Sequence, residues 1–475
     1  MAVFDGQIYI GGEWKTASKT AEIRNPWDGS LAGRVGLAED GDAEEAVLKG
    51  LNGFRRTKQL SSQERHEVLA YLAGQIKEQR DSFAELITAE AGKPIAFSRV
   101  EVDRAILTVQ LASEEARRID GEAISLDLIS STRNRFGIVR RFPMGIVLGI
   151  TPFNFPLNLV CHKLAPAIAS GNAFILKPSP QAPLTSLRLA QIVESSGFPK
   201  EAFSVVSCAN AIAEKLVKDD RIRMVSFTGS PRVGWGIKAN AGKKKVVLEL
   251  GGNAGVIIDR TAHIRQAARK NAIGAFASAG QTCIKVQRIY VHRDVYDEYA
   301  EALVEESKAL KVGDPSKEET VVGPLIDQSA ADRVYEWIKE SEAAGAKVLC
   351  GGNRLKNTIE ATVLSGVRRT DKVFCNEIFG PVVTLHLFST IVEAVEGIND
   401  SSFGLQAGIF SNDFDNILYA FNNIEVGGVI VNDNPTFRVD NMPYGGVKDS
   451  GYGREGLRYA IESMTEPRLL AISPR

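Results

Sequence analysis

Short runs of branched apolar residues, separated by stretches with helical spacing, constrain this chain more than any other feature. The runs are GIVLGI (145–150), AFILK (173–177), FSVVS (203–207), MVSFTG (224–229) and KVVLEL (245–250). They are largely continuous in apolar character rather than alternating, as in strands covered on both faces. Between several of them lie helix-like segments such as LTSLRLAQIVESSG. This pattern predicts an α/β fold built on a parallel sheet with helices on both sides. A second alternating set follows Cys283. Upstream, residues 61–94 read as one long helix. Ser61 and Glu64 form a capping-box pair, Leu69, Leu72 and Ile76 share a face, and Gly92 and Pro94 mark the end.

At 475 residues the chain can bury large cores and is expected to form two or three domains. A net charge of −1 gives no support for nucleic-acid or anionic-membrane partners. No apolar run approaches the roughly 20 residues that span a bilayer. The start, MAVFDGQIYIGGEW, does not read as a secretion signal. The five cysteines, Cys161, Cys208, Cys283, Cys350 and Cys375, are odd in number and widely spaced, without C-x-x-C. No disulfide framework and no metal site is expected, and a reducing cytoplasm fits best. Four of the five read as buried thiols.

Parallel sheets bind ligands beyond the carboxyl ends of their strands. The residues there are TPFNFP, PSP, TGSPRVG and GGN, rich in Gly, Pro, Ser, Thr and Asn. TGSPRVG sits where a strand turns into a helix, and the N-terminal amides and dipole of that helix suit a phosphate. It is not a Walker loop, since Trp235 and Gly236 follow Gly234. The literal G-x-G-x-x-G at Gly451, Gly453 and Gly456 follows a polar loop rather than a strand, and reads as a glycine-rich surface turn. Cys283 stands apart from the other thiols. It ends the small, glycine-containing stretch SAGQTC, just before the strand-like IKVQRIYVH. Such a setting suits either packing or a thiol held out to react.

TPFNFP, LKPS, FTGSPRVG, LELGGN, AGQTC, EIFGPV and PYGGVKDSG occur in the order and rough spacing of aldehyde dehydrogenases, and the chain resembles that family over nearly its whole length. The resemblance implies a Rossmann-like cofactor domain (1–117 and 139–248), an α/β catalytic domain (249–443), and a β oligomerisation arm (118–138) paired with the tail (444–475). A homodimer or homotetramer is expected. It implies Cys283 as the nucleophile that forms a thiohemiacetal and then a thioester. Glu249 would be the base that activates the hydrolytic water. Acylating relatives that use coenzyme A lack this base, so hydrolysis to a free acid is favoured. Asn154 would donate to the oxyanion, a contribution of about 3 kcal/mol. A coenzyme A-acylating enzyme and a non-catalytic nucleotide-binding relative are the alternatives.

By the same resemblance NAD or NADP would contact Phe153, Lys177, Ser179, Pro180, Gly229, Ser230, Gly234, Glu377 and Phe379. Pro180 stands where NAD-preferring members often carry Glu, and PSPQAP has no arginine to clasp a 2′-phosphate. The cofactor preference stays open. The segment 101–122 resembles the branch containing lactaldehyde, non-phosphorylating glyceraldehyde-3-phosphate and phosphonoacetaldehyde dehydrogenases. Arg104 and Arg438 are the candidates for holding an anionic substrate group, Arg438 in a loop that closes over the entrance. Phosphate users often carry Arg before the nucleophile, where this chain has Thr282. His162, in an apolar helix-like stretch, reads as a core histidine. A short hydroxy- or anionic aldehyde is the expected substrate.

Overall fold

The computed structural model describes residues 5–473, so residues 1–4 and 474–475, the outer ends of the expected first and last segments, lie outside the described residues. Four of the predicted strands run Ile146–Ile150, Ala173–Lys177, Phe203–Val205 and Lys245–Glu249, and the fifth begins two residues early, at Ile222–Thr228. All five are parallel to one another. They form the centre of an eight-stranded sheet whose edges, Gln7–Ile10 with Glu13–Thr16 and Gly451–Tyr452, pair antiparallel. Three central strands are buried end to end, which explains their unbroken apolar runs.

A second, seven-stranded sheet is built from residues 254–431, and its parallel centre includes Ala254–Ile258, Val286–His292 and Val382–Phe388. The α/β class and the two parallel sheets agree with the expected Rossmann-like and catalytic parts. A third sheet joins Glu122–Ser125, Phe136–Pro143 and Thr465–Ile472, all antiparallel. Among the described residues no helix is long and apolar enough to cross a membrane.

Three local expectations need correction. The long helix is two, Ser62–Glu78 and Arg80–Ala91. The break is at Gln79 (φ −101°, ψ 20°), whose side-chain carbonyl accepts from Arg188 Nε at 2.9 Å. Nothing local marks it, because neither Gly nor Pro is there. The capping box at Ser61 and the left-handed cap at Gly92 (φ 66°) are present. Cys375 is exposed rather than buried. Finally, the glycine-rich 451–456 stretch is not a surface turn. Gly451 pairs with Glu249, Gly451 and Gly456 are buried, and Glu455 between them is 2% exposed.

Candidate active site

The two large sheets meet across a cavity of about 630 Å³. Cys283, Glu249 and Asn154 all line it, with Arg104, Arg438 and Tyr444. The backbone before Cys283 is unusual. Ser278, Ala279 and Gly280 all have left-handed φ angles, 52°, 56° and 65°. Non-glycine residues tolerate that conformation only where the surroundings impose it. Here the turn is pressed against Gly380, whose carbonyl oxygen lies 2.5 Å from where a Cβ on Gly280 would sit. Glycine is therefore required at 280. Gln281 then ties the turn down, accepting from Ile326 N at 2.9 Å. Cys283 emerges partly buried, its Sγ 3.2 Å from the Tyr444 hydroxyl. Burial pushes its thiol up to about 11, with the Tyr444 hydrogen bond pulling the other way.

Asn154 is fixed by donating Nδ2 to Gln281 O at 2.9 Å, and its Oδ1 is buried without a partner. An amide nitrogen carries two donors, so one remains. The loop that carries Asn154 rests on Lys93, which donates to Asn154 O at 2.9 Å and pairs with Glu101 at 2.6 Å. Glu101 in turn accepts from the amides of Leu157 and Asn158, at the start of the helix Asn158–Ala169. Neither Lys93 nor Glu101 was singled out from the sequence.

Glu249 ends its strand 3% exposed, with both carboxylate oxygens lacking a hydrogen-bond partner. Burial raises its pKa well above the usual carboxylate range, and the charge of Glu455 adds to this. Gly445 leaves the space it needs: a Cβ there would come within 2.9 Å of Glu249 Oε1. Glu455 behaves oppositely. Against its burial, Lys163, His162 and Arg438 hold it down at about 2. Lys163 Nζ lies 2.6 Å from Glu455 Oε1, and both side chains are buried.

The arginines are already partnered. Arg104 donates to Asp440 through Nη2 at 2.7 Å and Nε at 3.4 Å. Arg438 is not a rim residue: its side chain is 6% exposed, paired with Glu455 at 3.1 Å and stacked 3.6 Å above the Tyr444 ring. His162 is buried, as expected, and bonds Asp440 at 2.8 Å. Burial lowers the pKa of this histidine, and Arg438 reinforces the effect. One local signal for this network is present in the sequence. His162 and Lys163 are adjacent polar residues in a largely apolar helix, and they must be paired if buried.

The expected cofactor residues divide into two groups. Phe153, Gly229, Ser230, Glu377 and Phe379 line the cavity, whereas Lys177, Ser179, Pro180 and Gly234 do not. Glu377 accepts from Gly252 N at 2.9 Å, and burial pushes its pKa up to about 7. The Phe379 ring meets Phe153 edge-on at 6.0 Å. Ser230 precedes the helix Pro231–Asn240, and Gly234 lets that helix close on Leu250, 2.3 Å from a would-be Cβ. Thr228 Oγ1 is buried and unpartnered beside it. Lys177 ends its strand 7% exposed, its pKa lowered by burial, with the Cys208 thiol the one titratable group acting on it. Ser179 bonds Gln181 at 2.9 Å, and Pro180 is exposed. An orphaned hydroxyl, a helix N-terminus and a buried ammonium together fit a phosphate-bearing nucleotide.

A model of the aldehyde dehydrogenase family matches residues 14–470. The 3-sulfolactaldehyde dehydrogenase of Priestia aryabhattai is 42% identical over 467 residues, covering 98% of each chain. The structure of aldehyde dehydrogenase 21 from Physcomitrella patens, in complex with its reaction product succinate, superposes with a TM-score of 0.97 at 41% identity, covering 99% of each chain. That of glyceraldehyde-3-phosphate dehydrogenase GapN from Methanocaldococcus jannaschii, complexed with NADP, gives a TM-score of 0.93 at 37% identity, covering 96% of this chain and all (100%) of that one.

Proposed function

The chain belongs to the aldehyde dehydrogenase family, and from that premise we propose that it oxidises a short hydroxy- or anionic aldehyde to its carboxylic acid with NAD or NADP. Cys283 Sγ adds to the aldehyde carbon. The second amide proton of Asn154 is free to meet the carbonyl oxygen as charge develops on it. Bound NAD(P) supplies the hydride acceptor that converts the thiohemiacetal on Cys283 into a thioester. Glu249, whose burial raises its affinity for a proton above that of an ordinary carboxylate, activates the water that releases the acid. Phe153, Gly229, Ser230, Glu377 and Phe379 would hold the cofactor from the cavity wall, and Lys177, Ser179, Pro180 and Gly234 would contact it outside that cavity.

The observation that carries this reading is Glu249. A buried carboxylate with two unpartnered oxygens, in the same cavity as a thiol, is costly unless it works on a reactant. It also favours hydrolysis over transfer to coenzyme A. The aldehyde class is supported by Arg104 and Arg438 in the cavity wall, and by relatives named for sulfolactaldehyde and crystallised with succinate. The test is a panel of neutral, hydroxylated and anionic aldehydes with each cofactor, with and without coenzyme A. Preference for hexanal over every anionic aldehyde refutes the substrate class.

The two large sheets support the division into a cofactor domain (1–117 and 139–248) and a catalytic domain (249–443). The arm 118–138 with the tail 444–475 completes it. We assign that arm to a homodimer or homotetramer contact. Leu128, Ile129, Leu469 and Leu470 there are 86%, 64%, 50% and 60% exposed, an apolar surface that association would cover. Light scattering tests it. The five unpaired cysteines support a cytoplasmic location.

A further inference from the structure

One neighbour of Cys283 takes no part in the steps above. Tyr444 is 3% exposed, with its hydroxyl 3.2 Å from Cys283 Sγ. Its position is fixed three ways. Its backbone exchanges two hydrogen bonds with Glu455, at 3.0 and 2.6 Å. Its ring packs with Ile284 and Leu405. The Arg438 guanidinium covers one face of the ring at 3.6 Å and is itself held by Glu455 at 3.1 Å.

We propose that Tyr444 is a further catalytic residue, its phenol O–H donating to Cys283 Sγ and holding the sulfur as a thiolate until it adds to the aldehyde. This rests on the reading of Cys283 as the nucleophile. Either atom can donate while both are neutral, but an ionised sulfur only accepts, so in the reactive state the phenol must donate. The charged and titratable groups acting on Cys283 are Tyr444, Glu377, Arg438 and Glu249. The two carboxylates oppose ionisation, whereas the Tyr444 hydrogen bond and the Arg438 charge favour it. Tyr444 faces Cys283, Arg438 and Glu249, and burial keeps its phenol protonated. A guanidinium over the ring draws electron density from the oxygen and makes the O–H a stronger donor.

The chemistry balances without a change at the phenol. The S–H bond breaks, and its proton goes to the Glu249 carboxylate. The sulfur pair forms the C–S bond as the carbonyl π pair moves onto oxygen. The phenol keeps its proton throughout.

Tyr444→Phe retains the ring and removes the donor. The rate of iodoacetamide labelling of Cys283, followed by peptide mass across pH, reports the thiolate directly. The labelling midpoint should rise by about one to two pH units. The burst of NAD(P)H should slow at least about tenfold at neutral pH, with melting temperature and NADP binding unchanged. A site-specific 3-fluorotyrosine at position 444, a more acidic donor of nearly the same shape, should move the midpoint down. A purely structural tyrosine would not give these opposite shifts. An unchanged midpoint in both proteins overturns the proposal. A Cys283→Ser enzyme that still turns over overturns instead the reading beneath it.

Discussion

Arg104→Leu removes a guanidinium that is only partly committed. Its Nε and Nη2 each donate to Asp440, which leaves three of the five N–H donors of an arginine free. The side chain is 24% exposed in the cavity wall, so those donors are available to an anion that enters. One charge-assisted hydrogen bond is worth about 1.5–3 kcal/mol, so losing it should lower kcat/KM for an anionic aldehyde about 10- to 150-fold. Propanal has no charge to lose and should change little. The substitution also takes one partner from buried Asp440, which keeps His162 at 2.8 Å. A melting curve therefore accompanies the assay. The measurement is initial NAD(P)H formation with 4-oxobutanoate and with propanal, on the same preparation. Equal losses for the two substrates would make Arg104 a structural partner of Asp440 and refute its role in specificity.

Three further outcomes are expected. Glu249→Gln should release one equivalent of NAD(P)H per site and then stall, with a thioester visible by intact-protein mass, and because Glu249 also takes the Cys283 proton this first equivalent should appear more slowly than in wild type; a wild-type steady-state rate would remove Glu249 from deacylation. The same variant tests the raised pKa of Glu249. The folded state keeps a proton that the unfolded chain loses above about 4.5, so burial of Glu249 costs stability increasingly as pH rises, and the variant's melting temperature should gain on wild type between pH 5 and pH 8. A pH-independent difference would contradict it. Pro180→Glu should shift the ratio of kcat/KM toward NAD by on the order of tenfold, through repulsion of a 2′-phosphate; an unchanged ratio would place the adenosine ribose elsewhere.

The strands of the first sheet were legible because burial on both faces leaves nothing for polar residues to do. Their apolar runs stand out from the helices between them. The turn before Cys283 was legible in kind, since Gly280 has no room for a side chain against Gly380. The break at Gln79 was not, because a contact with Arg188, 109 residues away, anchors the side chain there. The charge network around the cavity was hidden for the same reason. Lys163 meets Glu455 across 292 positions, and Arg104 meets Asp440 across 336. Short-range periodicity cannot pair them. The glycine-rich 451–456 stretch misled because its polar context concealed a short strand whose Gly451 is buried against Glu249.

That strand has a consequence for how the molecule is made. Leu248 and Glu249 pair with Tyr452 and Gly451, across an intervening chain of roughly two hundred residues that first builds the second sheet. A nascent chain that has emerged as far as residue 431 holds the residues of the second sheet and most of the first. It still lacks the edge that flanks Glu249, and it leaves Lys163 buried without its counter-ion. The cavity that Glu249 lines is therefore among the last parts to close during synthesis. Until then the sheet edge beside Glu249 stands open, which exposes the incomplete chain to aggregation.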